Sequence, residues 1–232
     1  MEMNSLDVKR YETLSKLRKL AQQTIRNVSK YLDLGCGDGS LTLEVAKIFQ
    51  CPEIWGVDID EEALNKASMR GVKVLKVDLN TQKVPLPDET FDLVTAFDVI
   101  EHLWNTDNLI SEAYRLLKRG GYFILTTPNL ASWINRLSLL FGYVPFHYEV
   151  SLKWDLEKRP LQKSYGVEGH VRLYTLKTLI KHLEAYGFSI PKVYSINLAY
   201  ATRSNFIIRL INLILSRKKS LAPGVLVVAV KE

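Results

Sequence analysis

Tyr31-Leu32-Asp33-Leu34-Gly35-Cys36-Gly37-Asp38-Gly39-Ser40-Leu41-Thr42 is a short apolar run, a glycine-rich turn and the opening of a helix. Such a strand–turn–helix unit aims free backbone N–H groups at whatever lies over the turn, and glycine lets a ligand approach without a Cβ in the way. A dinucleotide-binding turn is written G-x-G-x-x-G, its last glycine packing helix on strand. Here the third glycine comes one residue early, and Ser40 stands where that glycine would be. Asp33, two residues before the first glycine, would repel a pyrophosphate and suits a ligand carrying an ammonium group.

Downstream, the same unit recurs. Glu53–Asp58 reads as a second strand ending in a carboxylate, placed to accept hydrogen bonds from both hydroxyls of a ribose. Asp60 reads as an N-cap, with Glu61 and Glu62 in the first turn of the next helix. Val72–Leu79 reads as a third strand with Asp78 near its end, and Phe91–Asp98 as a fourth. A helix capped near Asn105–Thr106 is expected to carry Lys118 and Arg119 in its last turn and to stop at Gly120. Gly121–Asn129 follows as a fifth strand. Because every strand connects through a helix, the expected fold is α/β, with a doubly wound, mostly parallel sheet.

Asp33, Gly35, Gly37 and Gly39 fit the D-x-G-x-G-x-G motif, Pro85–Val94 fits P-x-P-D-x-x-F-D-x-V, and Leu116–Gly121 fits L-L-K-x-G-G. Together they resemble the class I S-adenosylmethionine-dependent methyltransferases of the type 11 and type 23 groups, closely over residues 28–130. The resemblance implies a Rossmann-like sheet of seven strands, with the last one antiparallel between the fifth and sixth. It implies S-adenosylmethionine as cofactor and S-adenosylhomocysteine as product. It places Asp33, Gly35, Cys36 and Gly37 at the methionine end with Asp98 and Val99 nearby. Asp58 falls at the ribose, with Ile59 beside it as a further cofactor contact, and Asp78 and Leu79 fall at the adenine. The rival readings are an NAD-type oxidoreductase on a related sheet, and a module that binds the cofactor without catalysis.

The remaining segments read as attachments to one domain spanning 1–232. Residues 1–27 form a helical cover, with Leu14, Leu17, Leu20, Ala21 and Ile25 at helical spacing. Residues 129–170 form a helical lid over the acceptor. Within it Leu130, Trp133, Ile134, Leu137, Leu140 and Phe141 fall on one helical face, with Asn135, Arg136 and Ser138 opposite, followed by an aromatic stretch that includes Tyr143, Tyr148, Trp154 and Tyr165. The phrase Gly169-His170-Val171-Arg172-Leu173-Tyr174-Thr175 is similar to O-methyltransferases of ubiquinone biosynthesis, which implies a small-molecule acceptor methylated on oxygen. An oxygen acceptor must lose its proton, and His102, His147 and His170 are the candidate bases. Asp98, Glu101 and His102 have the acid-x-x-Glu-His spacing of metal-dependent quinone O-methyltransferases, whose carboxylates and imidazole could hold Mg²⁺ or Zn²⁺. Members without metal share the Glu-His pair, so no metal ligand is assigned.

Asp98-Val99-Ile100-Glu101 stands where adenine and glutamine N-methyltransferases carry N/D-P-P-Y/F, and there is no Pro-Cys nucleophile. Nucleic acid and protein glutamine drop out as acceptors. A net charge of +6 over 232 residues is spread thinly, with one cluster at Arg217-Lys218-Lys219, and reads as a solvated face. That cluster follows Phe206–Leu215, which is apolar almost all round; with the lid helix it could meet a membrane surface to reach a hydrophobic acceptor. Cys36 and Cys51 have no metal or disulfide spacing and fit a reducing cytoplasm. No run reaches the length of a spanning helix, and Met1–Arg10 does not read as a signal peptide.

Overall fold

A computed structural model describes residues 5–151, 153, 154, 156, 169–197 and 206–232. Seven strands form one sheet in the order β3-β2-β1-β4-β5-β7-β6. They are β1 (Lys30–Leu34), β2 (Glu53–Asp58), β3 (Lys73–Lys76), β4 (Phe91–Phe97), β5 (Leu117–Pro128), β6 (Phe188–Ile196) and β7 (Gly224–Lys231). Strands β1 to β5 run parallel, while β7 is antiparallel to both neighbours. The helices are α1 (Ser5–Gln23), α2 (Ser40–Phe49), α3 (Glu61–Met69), α4 (Thr106–Leu116), α5 (Trp133–Leu140), α6 (Leu176–Ala185) and α7 (Phe206–Leu215).

The interior strands are apolar on both faces because helices cover both. Successive residues therefore serve different cores. Leu32, Val94, Phe123 and Val227 pack with Leu109, Ala113 and Leu116 of α4 and with Leu179 and Leu183 of α6. Their neighbours Tyr31, Leu93, Ile124 and Val228 pack with Leu14, Leu17 and Leu20 of α1 and with Val45 and Phe49 of α2. The edge strand β3 exposes Lys73 and Lys76, charges that discourage pairing with another chain.

Three boundaries differ from the sequence-based expectation. The third strand ends at Lys76, and Asp78 lies in the turn beyond it, where its carboxylate accepts from Asn80 N at 2.8 Å and Thr81 Oγ1 at 2.9 Å. Lys118, Arg119 and Gly120 do not close α4. They belong to β5, whose pairing with β4 shifts register between Phe91 and Leu93, and Lys118 reaches Asp92 at 2.6 Å. In α5, Trp133 and Ile134 are buried and Arg136 is exposed as the amphipathic reading expects, but Asn135 is buried and Leu137, Leu140 and Phe141 are exposed. Asn135 is inside because it donates to Asn129 O at 3.1 Å and accepts from Phe146 N at 2.8 Å, tying the helix to the loop after it. Tyr165 of the aromatic stretch lies outside the described residues; Phe146 is buried, whereas Tyr143, Tyr148 and Trp154 are exposed.

One buried charge pair anchors α4 to the loop before β4. Arg115 donates to both oxygens of buried Glu112, at 2.8 and 2.6 Å, and to the carbonyls of Val84 and Leu86. Removing one partner of such a pair leaves an uncompensated charge. Arg115→Met is expected to lower stability by about 3 kcal/mol in urea unfolding. A loss below about 1 kcal/mol, the worth of a surface pair, would contradict this role.

Candidate active site

The first turn sits at the C-terminal end of the strands, where open α/β sheets bind ligands. Gly35 N and Cys36 N both donate to Val57 O, at 2.7 and 3.0 Å, which folds the turn back over β2. Gly35 has φ +82°, and a Cβ there would fall 2.3 Å from Val99 Cγ2. Gly37 has φ +52°, and a Cβ there would meet nothing within 4 Å. The chain thus presses on Gly35 and leaves open space over Gly37. Cys36 is buried, its sulfur against Gly56, where an added Cβ would lie 2.6 Å away. Burial and the neighbouring carboxylates push its thiol far up, so it is no thiolate nucleophile.

Asp33 lies behind the turn. It is 2% exposed, and its two oxygens accept 2.6 Å bonds from the hydroxyls of Thr42 and Thr95. Burial raises its carboxyl to about 6 in spite of those bonds. Asp33 therefore joins α2 to β4 beneath the turn. Asp58 occupies the mouth. One oxygen accepts from Gly37 N at 2.8 Å, the other from Asp60 N at 3.0 Å. Two backbone donors fix the carboxylate, and its remaining lone pairs are available to ligand hydroxyls. Beside it Ile59 is 60% exposed, an apolar surface for a flat base. Donor set, open cradle and surrounding carboxylates fit S-adenosylmethionine, a ribonucleoside carrying a sulfonium and an ammonium.

Asp78 lies in the turn after β3, and Leu79 next to it is buried. The turn bonds hold its carboxyl below the usual range. Val99 is the residue against Gly35. Asp98 adopts φ +56° and bonds Thr126 Oγ1 at 2.9 Å; from the cover helix α1, Lys9 reaches the same oxygen at 2.6 Å.

The three candidate bases come together although 68 residues separate the first from the last. The His102 and His170 rings lie 4.8 Å apart, and those of His147 and His170 5.3 Å apart. His102 Nδ1 is 3.3 Å from Gly169 O, while Glu149 accepts from Gly169 N and His170 N. Val171 N and Arg172 N both donate to Glu101 O, so the phrase after the lid is stitched to the end of β4. Beneath this cluster lies Glu101, which the sequence pointed to only as part of a metal motif. It is 1% exposed, and among the described residues its Oε2 has no partner in full hydrogen-bond geometry, the Thr127 hydroxyl being the side chain that comes nearest to supplying one. Burial pushes its carboxyl up to about 8, the Asp98 carboxylate adding to the effect and the Lys9 ammonium opposing it. Donor atoms of Glu101, His102 and His170 lie within 4.8 Å of one another, a set of the kind that holds a divalent cation. The first acid of the motif, Asp98, is engaged by Lys9 instead.

A family model described as a methyltransferase domain matches residues 7–193. A probable S-adenosylmethionine-dependent methyltransferase of Mycolicibacterium smegmatis is 38% identical over 101 residues, covering 42% of this chain and 37% of the relative. A demethylmenaquinone methyltransferase of Symbiobacterium thermophilum is 36% identical over 112 residues, covering 45% of each. The chain thus spans less than half the length of these curated relatives. A crystal structure of a methyltransferase from Archaeoglobus fulgidus superposes with a TM-score of 0.61 at 22% identity, over 96% of this chain and 94% of that one, and so shares the fold. With the family model matching most of its length on a sheet of this order, the chain belongs to the class I S-adenosylmethionine-dependent methyltransferases.

Proposed function

We propose that this chain moves the methyl group of S-adenosylmethionine to a hydroxyl oxygen of a small hydrophobic acceptor, with Glu101 receiving the proton. The observation that carries the reading is the buried carboxyl of Glu101, one oxygen of which lacks a full hydrogen bond among the described residues, with its donor atoms within 4.8 Å of those of His102 and His170. In this reading Asp58 and Ile59 hold the ribose side of the cofactor, the Gly35–Gly37 turn its methionine end, and Asp78 with Leu79 its adenine. The acceptor oxygen attacks the methyl carbon in line, the carbon–sulfur bond breaks with its electron pair going to sulfur, and the O–H proton passes to Glu101. The cofactor supplies the electrophile; the protein supplies orientation, water exclusion and the proton's destination. The likeness to a demethylmenaquinone methyltransferase supports an apolar ring acceptor.

The test is transfer of isotope-labelled methyl groups to a panel of phenols, hydroquinones and amines, with products located by mass spectrometry. Methyl ethers are expected; label only on nitrogen, carbon or macromolecules refutes the oxygen reading, and no transfer at all leaves a cofactor-binding module. The carboxylate form is the proton acceptor, so turnover should rise with pH through an inflection at or below about 8. Glu101→Gln should lower kcat about a hundredfold and remove that inflection while cofactor affinity stays within a few-fold. Turnover abolished by EDTA and restored by Mg²⁺ would instead assign the Glu101, His102 and His170 cluster to a cation.

A further inference from the structure

We propose that the exposed end of α5 and the outer face of α7 form a docking surface for an anionic lipid bilayer. The two helices are packed along a buried seam. Trp133 Nε1 donates to Asn212 Oδ1 at 3.0 Å, Ser216 Oγ adds a second bond to that oxygen at 3.1 Å, and Leu215 packs against the cluster of Trp133, Ile134 and Phe146. The seam fixes the first turn of α5 and one side of α7 on the protein. Beyond it both helices are apolar. On α5 and its end Leu139, Leu140 and Phe141 are exposed, and on α7 Leu210, Leu213 and Ile214. Isolated exposed leucines need no explanation, but two adjacent helices that both turn leucines outward do.

The charge around this surface indicates what covers it. Arg217, Lys218 and Lys219 follow α7 directly and all three are exposed, as is Arg136 on α5. Residues 129–148 and 206–223 contain no Asp or Glu, in a chain with 25 of them. Apolar side chains flanked by cations and free of acids match the boundary between acyl chains and anionic head groups. Among the described residues no helix is long and apolar enough to cross a membrane, so the contact is peripheral. The surface also leads inward, because the chain leaves α5 at Phe141 and reaches His147 of the histidine cluster six residues later. An acceptor dissolved in the bilayer would enter from the side where the protein rests.

The inference takes its purpose from the proposed hydrophobic acceptor, but lipid binding is read without turnover, so the two fail separately. The full chain is sedimented with phosphatidylcholine vesicles, with and without phosphatidylglycerol, at low and high salt. Binding to the anionic vesicles at low salt is expected, weakened by salt and lost on Leu139→Ser with Leu140→Ser. Replacing Arg217, Lys218 and Lys219 by serine should cost about fivefold in partitioning for each charge removed. No binding to anionic vesicles at low salt overturns the proposal. So does binding that neither set of substitutions changes, or light scattering that shows the leucine substitutions converting a dimer to monomers.

Discussion

Asp58→Ala is expected to weaken binding of S-adenosylhomocysteine by at least about a hundredfold, roughly 2.7 kcal/mol, with little loss of stability. The carboxylate stands at the end of β2, its two oxygens fixed by Gly37 N and Asp60 N. Hydrogen bonds from ligand hydroxyls to a charged acceptor are worth about 1.5–3 kcal/mol each, and a ribose offers two. Alanine removes those acceptors and also releases the two amides that shape the turn. The cost to folding is small because the Asp60 amide is exposed and the Gly37 amide only part-buried, so water replaces the lost acceptor. Isothermal calorimetry with S-adenosylhomocysteine, paired with urea unfolding, separates the two effects. Asp58→Asn should retain part of the affinity, since an amide keeps one acceptor. Heat from NAD but not from S-adenosylhomocysteine would return the chain to the oxidoreductase reading, and unchanged affinity in the alanine variant would remove Asp58 from the site.

The second large effect distinguishes two glycines of one motif. At Gly35 an added methyl would sit 2.3 Å from Val99 Cγ2 on a backbone of φ +82°. The left-handed backbone costs about 1–2 kcal/mol and overpacking a further 1–3, so Gly35→Ala should lose about 3 kcal/mol or more. Adding Val99→Ala should recover the steric share and leave the backbone share. At Gly37 the same methyl meets no atom of the chain. Gly37→Ala should therefore cost about 1–2 kcal/mol in stability, the backbone part alone. It should nevertheless bind S-adenosylhomocysteine poorly, because the methyl fills the open space over the turn. Urea unfolding with calorimetry on the three variants is the check. Equal stability losses at Gly35 and Gly37 would contradict the division, as would normal cofactor affinity in Gly37→Ala.

The fold was legible where local chemistry and global packing agree. The glycine turn, the Asp60 cap on α3, the Asn105 cap on α4 and the Thr175 cap on α6 all appear where their side-chain chemistry predicts. What escaped prediction depends on neighbours remote in the chain. Asn135 looks like a solvent residue until its bonds to Asn129 and Phe146 are seen. Lys118 and Arg119 look like a helix end because cations favour that place, yet pairing with β4 draws them into β5. Of the site, the acidic residue ending β2 could be read from position alone. Glu101 could not, because an acid beside a histidine says nothing of burial; the bonds of Val171 N and Arg172 N to its carbonyl bring Gly169–Arg172 over it. The three histidines were each identifiable as titratable, but their meeting is a tertiary fact.

Strand β7 lies between β5 and β6, although it follows both in the chain. During synthesis β5 leaves the ribosome with one flank unpaired, and β6 emerges later with no neighbour of its own. Only when Gly224–Lys231 arrives does each receive its partner, Tyr122 meeting Val230 across more than a hundred residues of chain. Contacts so distant in sequence form slowly, and unpaired apolar edges invite aggregation while they wait. The half of the sheet that carries Asp33, Asp58 and the glycine turn is therefore complete well before the half that leads to the lid. On the proposed function, a nascent chain has the parts that hold the nucleoside in place before it can enclose an acceptor.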